Sequence, residues 1–300
     1  MIKKRKIICV VGPTASGKTD LAKTFSNKFN GEVISADSRQ IYRSMDIGTG
    51  KDKTFFQYMI DIRDPNEDYS VVEFQKETYE IIDKIFSCGK IPFLVGGSGL
   101  YINAVIYGYQ FPKTDPHLRS KIEALSTEKL IEKLKKFDPA SAEKNVNNHR
   151  RLARALESYL YNSRPLSEYK KKKPNFQYLM LGIDIPREEL YTRIDRRVDS
   201  RIKEGMIEEV QNLFKTGVSY ERLRRFGLEY RIISDYLLKF GDRNSENKRE
   251  ELKQEMIQKL KFKIHDFARR QLTWFRKNKE INWIQNDDQA EKLIHQFLES

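Results

Sequence analysis

The chain has 300 residues, 39% apolar and 33% charged, a balance that supports a folded globular protein and excludes a disordered one. Fifty-six Lys and Arg against 43 Asp and Glu give a formal charge of +13, which suits a polyanionic partner. No apolar run approaches the ~20 residues that span a bilayer, so no membrane association is expected. The two cysteines allow neither a disulfide framework nor a cysteine-rich zinc site, which points to a reducing, cytoplasmic setting.

The opening MIKKRKIICVV imitates the basic region of a signal peptide, but its apolar part is only residues 7–11 and reads as a first strand. There follows GPTASGKT, residues 12–19, in which Gly12, Gly17, Lys18 and Thr19 fit the pattern G-x-x-x-x-G-K-[ST]. Between a strand and a helical pattern (Leu21, Ala22, Phe25), such a loop turns its backbone N–H groups inward and favours anions. The Lys18 ammonium reaches terminal phosphate oxygens, and the Thr19 hydroxyl suits a magnesium ion shared with them. The motif fixes phosphate binding but leaves open whether the ligand is a nucleoside triphosphate or another diphosphate.

EVISAD (32–37) reads as a second strand, 71–86 as a helix, and KIPFLVGGSG as an apolar strand at 91–95 opening into glycines. Strands alternating with helices predict a parallel sheet covered on both faces, with ligands at the carboxyl ends of the strands. The turns at Gly12, at Asp37 and Ser38, and at Gly96, Gly97 and Ser98 should therefore build one site. Asp37 has three readings there: a magnesium ligand through water, a general base, or a cap of its own turn. Ser98 would project a hydroxyl between glycines that permit close approach. The third strand ends in glycine where an energy-coupling ATPase places a magnesium-binding acid.

Residues 116–173 are rich in Lys, Glu, Leu and Arg and read as helices broken near Pro139, Pro165 and Pro174; FQYLMLGID (176–184) returns as a strand. The expected fold is thus α/β, a phosphate-loop NTPase-like parallel sheet core (1–114 and 184–300) with a helical insertion domain (115–183). After Pro186 one long helix is expected, with Leu190, Ile194, Val198, Ile202, Ile207, Val210 and Phe214 on one face. Arg193, Arg196, Arg197 and Arg201 lie opposite, where the plainest reading is a solvated face. GDRNSENKREE (241–251) reads as a polar loop, followed by a helix over 260–275 and an amphipathic tail. Basic residues gather with aromatics in NNHRRLARALE (147–157), YKKKKPNF (169–176), RLRRFGLEYR (222–231) and ARRQLTWFRKN (268–278). That pairing of phosphate neutralisers with stacking rings favours nucleic acid.

The sequence resembles the tRNA dimethylallyltransferases, also called tRNA isopentenyltransferases, in their short bacterial form. The resemblance rests on GPTASGKT (12–19), SADSRQIYRSMDIGTGK (35–51), DIRDP (61–65), VGGSGLY (95–101), RRLARALE (150–157), LYTRIDRRVDSRIKEG (190–205) and RRQLTWFRK (269–277). It implies transfer of a dimethylallyl group from dimethylallyl diphosphate to N6 of the adenosine 3′ to the anticodon in the tRNA anticodon stem-loop, with pyrophosphate released. Gly12, Pro13, Thr14, Ala15, Ser16, Gly17, Lys18 and Thr19 would then hold pyrophosphate, helped by Arg197 and by Arg193 as a second candidate, with Mg2+ on Thr19. Asp37 matches the catalytic base and Ser98 the hydroxyl that positions the reacting groups. The resemblance assigns tRNA contacts to Asp37, Ser38, Arg39, Gln40, Ser98, Arg119, Arg150, Arg151, Leu152, Ala153, Arg154, Arg269, Arg270, Gln271, Thr273, Trp274 and Arg276. It also implies a cytoplasmic monomer with a channel between its two domains for an everted base.

Two departures stand out: serine at 98 where threonine is common, and RRFGLEYR in place of a shorter glycine-tyrosine-basic pattern. A phosphate-loop kinase of small molecules or nucleosides is the alternative, and it would leave the basic carboxy-terminal half without a role. A non-catalytic or ATP-dependent RNA-binding protein is a third reading.

Overall fold

The computed structural model describes residues 5–169, 174, 176–239 and 246–300. The lysine run of YKKKKPNF and the start of the polar stretch at 241–245 lie outside these residues. β1 (Lys6–Val11) leads to α1 (Lys18–Lys28), β2 (Gly31–Ser35), β3 (Gln57–Tyr58), α2 (Val71–Ser87), β4 (Ile91–Gly96) and α3 (Gly99–Ile106). Then come α4 (Pro116–Glu123), α5 (Thr127–Phe137), α6 (Pro139–Lys144), α7 (His149–Asn162) and a short 3-10 turn at Leu166–Glu168. β5 (Gln177–Ile183), α8 (Arg187–Lys203), α9 (Met206–Lys215), α10 (Tyr220–Phe226), α11 (Leu228–Lys239), α12 (Glu246–Arg276), β6 (Ile281–Ile284) and α13 (Asp287–Glu299) complete the chain.

The strands form one parallel sheet in the order β3-β2-β4-β1-β5-β6. β1 and β4 lie inside it and read as unbroken apolar runs because strands covered on both faces have no solvent side to alternate with. Leu21, Ala22 and Phe25 of α1 and Ala290 and Ile294 of α13 pack on strand residues Ile8, Val10, Phe93 and Leu181. A second apolar cluster gathers Ile194 and Val198 of α8, Val210 and Leu213 of α9, Tyr230 and Ile233 of α11, and Leu260 and Ile264 of α12. This order sets the carboxyl ends of β2, β4 and β1 side by side, so the three turns expected to share a site are neighbours.

The chain divides into two compact units, Asn103–Pro174 and the remainder. The helical unit has its own core of Ile122, Leu130, Leu134, Leu152, Ala153, Ala155 and Leu156. Its bounds differ from the expected 115–183: β5 pairs with β1 and belongs to the sheet, and the division falls inside α3. Pro139 opens a helix as well as ending one, because Asp138 accepts the Ser141 N–H and caps α6 with proline in its first turn.

Three further expectations are corrected. The long helix after Pro186 is two helices, α8 and α9, because Gly205 adopts a left-handed conformation (φ +100°) that ends the first and starts the second. The tail contains a strand, β6, whose INWI pairs with β5 before α13 begins. Residues 246–251 of the polar stretch belong to the first turns of α12. No helix among the described residues is long and apolar enough to cross a membrane.

Gly205→Ala forces a side chain into a left-handed conformation, which costs roughly 1–2 kcal/mol. A urea titration should show the midpoint fall accordingly; an unchanged midpoint would mean that another feature sets the break.

Candidate active site

The loop after β1 is held open by backbone geometry. Gly12 and Gly17 take φ of +155° and +92°, and Ala15 is also left-handed at +62°. Ser16 Oγ donates to the Pro13 carbonyl at 2.9 Å, and Lys18 Nζ donates to the same oxygen at 2.5 Å. No side chain caps the start of α1, whose N-cap is Gly17, so the first-turn N–H groups keep their anion-binding capacity. Burial, with Arg197 adding to it and Asp37 partly opposing, pushes the Lys18 ammonium down to about 7. A lysine so placed is a cation short of a counter-charge.

Next to the loop, the ends of β2 and β4 are tied together. The Ala36 N–H donates to the Val95 carbonyl at 2.7 Å, and the Ser38 N–H donates to Ser98 Oγ at 3.3 Å. Asp37 Oδ1 accepts the Arg39 N–H at 2.9 Å, so Asp37 does cap its own turn. The same carboxylate also stands within electrostatic reach of Lys18 and Arg197. The glycines after β4 are needed for space. A Cβ on Gly96 would lie 2.2 Å from the Ala36 carbonyl oxygen, and on Gly97 and Gly99 2.3 Å from the side chains of Gln271 and Trp274 respectively. A metal-binding acid at the end of this strand would have no room.

The third wall is α8. Arg197 Nη2 donates to the Gly50 carbonyl at 3.4 Å and Arg201 Nη1 to the Gly48 carbonyl at 3.2 Å. Gly50 is left-handed (φ +62°), and a Cβ there would sit 1.7 Å from Arg201 Nη2. The Glu209 carboxylate accepts the N–H groups of Asp46, Ile47 and Gly48 and the Tyr230 hydroxyl, which fixes this turn against the arginines. Glu229, itself buried, pairs with Arg39 and lies 4.0 Å from Arg201. Burial, with Arg197 adding to it, lowers Arg201 to about 10. Burial also lowers Arg197, with Glu229 and Asp37 opposing it.

Arg201, Glu209 and Glu229 were not singled out for the site from sequence. One usable signal was the four-residue spacing of Arg193, Arg197 and Arg201, which puts them on one helix face. The solvated-face reading holds for Arg193 and Arg196, which are exposed, and fails for Arg197 and Arg201, which turn inward beside Ile194 and Val198. Arg193 pairs with Glu189 at 2.6 Å, with Nη1 3.9 Å from where a Gly17 Cβ would be.

Several residues expected to face a partner are instead engaged by the protein. Gln271 is a buried brace: its Oε1 accepts the Thr14 N–H at 2.9 Å and its Nε2 donates to the Gly97 carbonyl at 2.9 Å. Gln40 bonds Ser35 Oγ and the Thr49 and Gly50 carbonyls. Arg39 is turned onto Glu229. In the helical unit Leu152 and Ala153 are 0% and 1% exposed and belong to the core, so their side chains are removed from any contact surface. Arg119 makes two bonds to the buried Glu157 at 2.9 and 3.0 Å, while Arg150 and Arg151 are exposed and Arg154 is partly so. On α12, Arg269, Arg270, Thr273, Trp274 and Arg276 are exposed. In RLRRFGLEYR, Arg222 binds the Pro65 and Glu67 carbonyls and Asp68, a clamp on the DIRDP loop.

A phosphate loop at the carboxyl end of an inner strand, in a parallel sheet wrapped by helices, defines a phosphate-loop α/β protein. Residues 40–278 match the family model described as IPP transferase. The chain is 40% identical over 306 residues to a tRNA dimethylallyltransferase of Acetivibrio thermocellus, across 96% of this chain and 95% of that one. A tRNA dimethylallyltransferase of Caldanaerobacter subterraneus is 41% identical over 301 residues, covering 94% and 92%. Among solved structures, the tRNA isopentenylpyrophosphate transferase of Bacillus halodurans matches with a TM-score of 0.71 at 35% identity, over 99% of this chain and 97% of that one. A eukaryotic dimethylallyltransferase, captured acting on tRNA, matches with a TM-score of 0.78 at 25% identity, over 94% and 74%. The chain belongs to the IPP transferase family and is a transferase.

An anion bound against Lys18 restores the charge that burial disfavours, so pyrophosphate binding above pH 7 should take up a proton. Calorimetry at pH 8 in two buffers of different ionisation enthalpy should give different apparent enthalpies. Lys18→Met should abolish that difference, and a wild-type enthalpy independent of buffer would contradict this reading of Lys18.

Proposed function

We propose that this chain transfers the dimethylallyl group of dimethylallyl diphosphate to N6 of the adenosine 3′ to the anticodon in tRNA. The observation that carries the reading is an imbalance of buried charge. With Arg39 matched by Glu229, the remaining cations Lys18, Arg197 and Arg201 have Asp37 and the exposed Asp20 to oppose them, beside loop amides suited to an anion. A diphosphate supplies the missing negative charge. Family membership and tRNA dimethylallyltransferase relatives support the choice of donor and acceptor.

The residues divide the reaction between them. Adenine N6 is a weak nucleophile because its lone pair is delocalised into the ring. As N6 attacks the allylic carbon, the bond from that carbon to the diphosphate oxygen breaks, and Asp37 accepts the N6 proton. Ser98, held beside Asp37 through the Ser38 amide, positions the amino group or the departing oxygen. The amides of residues 12–19, Lys18 and Arg197 stabilise the charge that builds on pyrophosphate. A divalent cation, which we take to be Mg2+, fits the hard oxygen donors available there, the Thr19 hydroxyl and the phosphates, and would neutralise the leaving group.

For tRNA the reading uses Asp37, Ser38 and Ser98 at the base, and the exposed side chains of Arg269, Arg270, Thr273, Trp274 and Arg276. Arg119, Arg150, Arg151 and Arg154 are its contacts on the helical unit. We place the reaction in the cytoplasm, consistent with free Cys9 and Cys88, and take the working form to be a monomer. The kinase alternative is disfavoured by the absence of room for an acid after β4.

Purified protein given labelled dimethylallyl diphosphate and unmodified tRNA should place label in the tRNA without ATP. An ATP requirement, or labelled small products only, would favour a kinase. Asp37→Asn should slow transfer roughly 10²–10⁴-fold while tRNA affinity stays near wild type; a parallel loss of affinity would make Asp37 a recognition residue. Ser98→Ala should lower turnover more than it raises the donor KM, and unchanged turnover would remove Ser98 from the mechanism.

A further inference from the structure

Arg39 poses a problem that Glu229 solves. Arg39 stands two residues after Asp37, and its own backbone N–H already binds Asp37 Oδ1. Its guanidinium lies within electrostatic reach of the Asp37 carboxylate. The simplest pairing for such an arginine would be that carboxylate. An ion pair of this kind would lower the basicity of a group that has to accept a proton and would pin it in place.

The pairing does not form. Among the described residues Asp37 makes no ion pair, and the Arg39 guanidinium bonds Glu229 instead. The Glu229 side chain is 5% exposed, and its second oxygen lies 4.0 Å from Arg201. Phe267 of α12 flanks the guanidinium, with its ring centroid 5.7 Å away. Glu229 comes from the RRFGLEYR segment, at the start of α11, where Gly227 (φ +82°) turns the chain between α10 and α11. The RRFGLEYR segment thus delivers a buried counter-charge to Arg39.

We propose that Glu229 is a positioning residue that draws Arg39 away from Asp37 and leaves that carboxylate free to act as the base. This rests on Asp37 being the base, as argued above. Among the described residues, Arg39 and Arg201 contact Glu229, with Arg197 and Tyr230 nearby. Facing Asp37 are Lys18, Arg39, Arg197 and Tyr101. Of these, Arg39 is joined to Asp37 through a single turn.

The test compares Glu229→Gln, Glu229→Asp and the double variant Arg39→Gln/Glu229→Gln in steady-state transfer. Glu229→Gln should lower kcat about tenfold or more, with the KM for donor and tRNA within about threefold of wild type, because the base and not the binding groups is affected. The double variant removes both halves of the buried pair, a change that proteins tolerate far better than loss of one half, and should recover kcat to within about threefold of wild type. A merely structural role predicts no such recovery. Should Glu229→Gln fail to fold, Glu229→Asp, whose shorter arm cannot hold both arginines, should show the same fall in kcat at constant KM.

A crystal structure of Glu229→Gln, or of Glu229→Asp if that is the variant that folds, should show the Arg39 guanidinium on the Asp37 carboxylate. An unmoved Arg39, unchanged kcat in the single variant, or a double variant no better than the single one would overturn the proposal. Wild-type protein inactive on tRNA would overturn the functional reading alone, and the crystal structure would still decide where Arg39 goes.

Discussion

The structure turns on a group of like charges taken out of water. Charges leave water at a high cost unless they are paired, and here Arg39 is matched by Glu229 while Lys18, Arg197 and Arg201 are left with Asp37 and the exposed Asp20 to oppose them. The surplus is maintained by neighbours with no other evident purpose. Glu209 fastens the turn at residues 46–48 to which Arg201 is bonded, and Gly50 leaves the space that the two guanidinium groups fill. On the proposed reading this surplus positive charge is matched by a bound diphosphate.

The sheet explains why the site sits where it does. Parallel strands end on the same side, and the order β2-β4-β1 puts a carboxylate turn and a hydroxyl turn directly beside the phosphate loop. Gln271 then joins loop and turn across the site, so that α12 holds the Thr14 amide and the Gly97 carbonyl in one arrangement. The helix that braces the anion site also presents Arg269, Arg270 and Arg276 to solvent. The brace on the phosphate loop and the outward basic face thus share one helix.

Much of this was legible in the sequence. Gly12, Gly17, Lys18 and Thr19 are readable because a phosphate loop constrains backbone and side chain at fixed positions. The inner strands were readable because burial on both faces leaves an unbroken apolar run. What escaped depends on distant partners or on short range. Gln271 bonds a residue 257 positions away, and nothing local separates a bracing glutamine from an RNA-facing one. Glu229 lies in a segment whose charges look like surface, and only the packing of α11 turns it inward. Leu152 and Ala153 fell within a motif assigned as a block, although helical periodicity puts them on the core side of α7. β6 is four residues long and Gly205 one residue, too little for a period to register.

The central claim is that an allylic diphosphate occupies the loop where phosphate-loop proteins commonly hold a nucleotide. The most direct measurement is a crystal structure with a donor analogue that cannot release its diphosphate. Its phosphates should lie against the amides of residues 12–19 with Lys18 and Arg197 on their oxygens, and the allylic carbon should point towards Asp37. Phosphates bound elsewhere, or an allylic chain directed away from Asp37 and Ser98, would contradict the account.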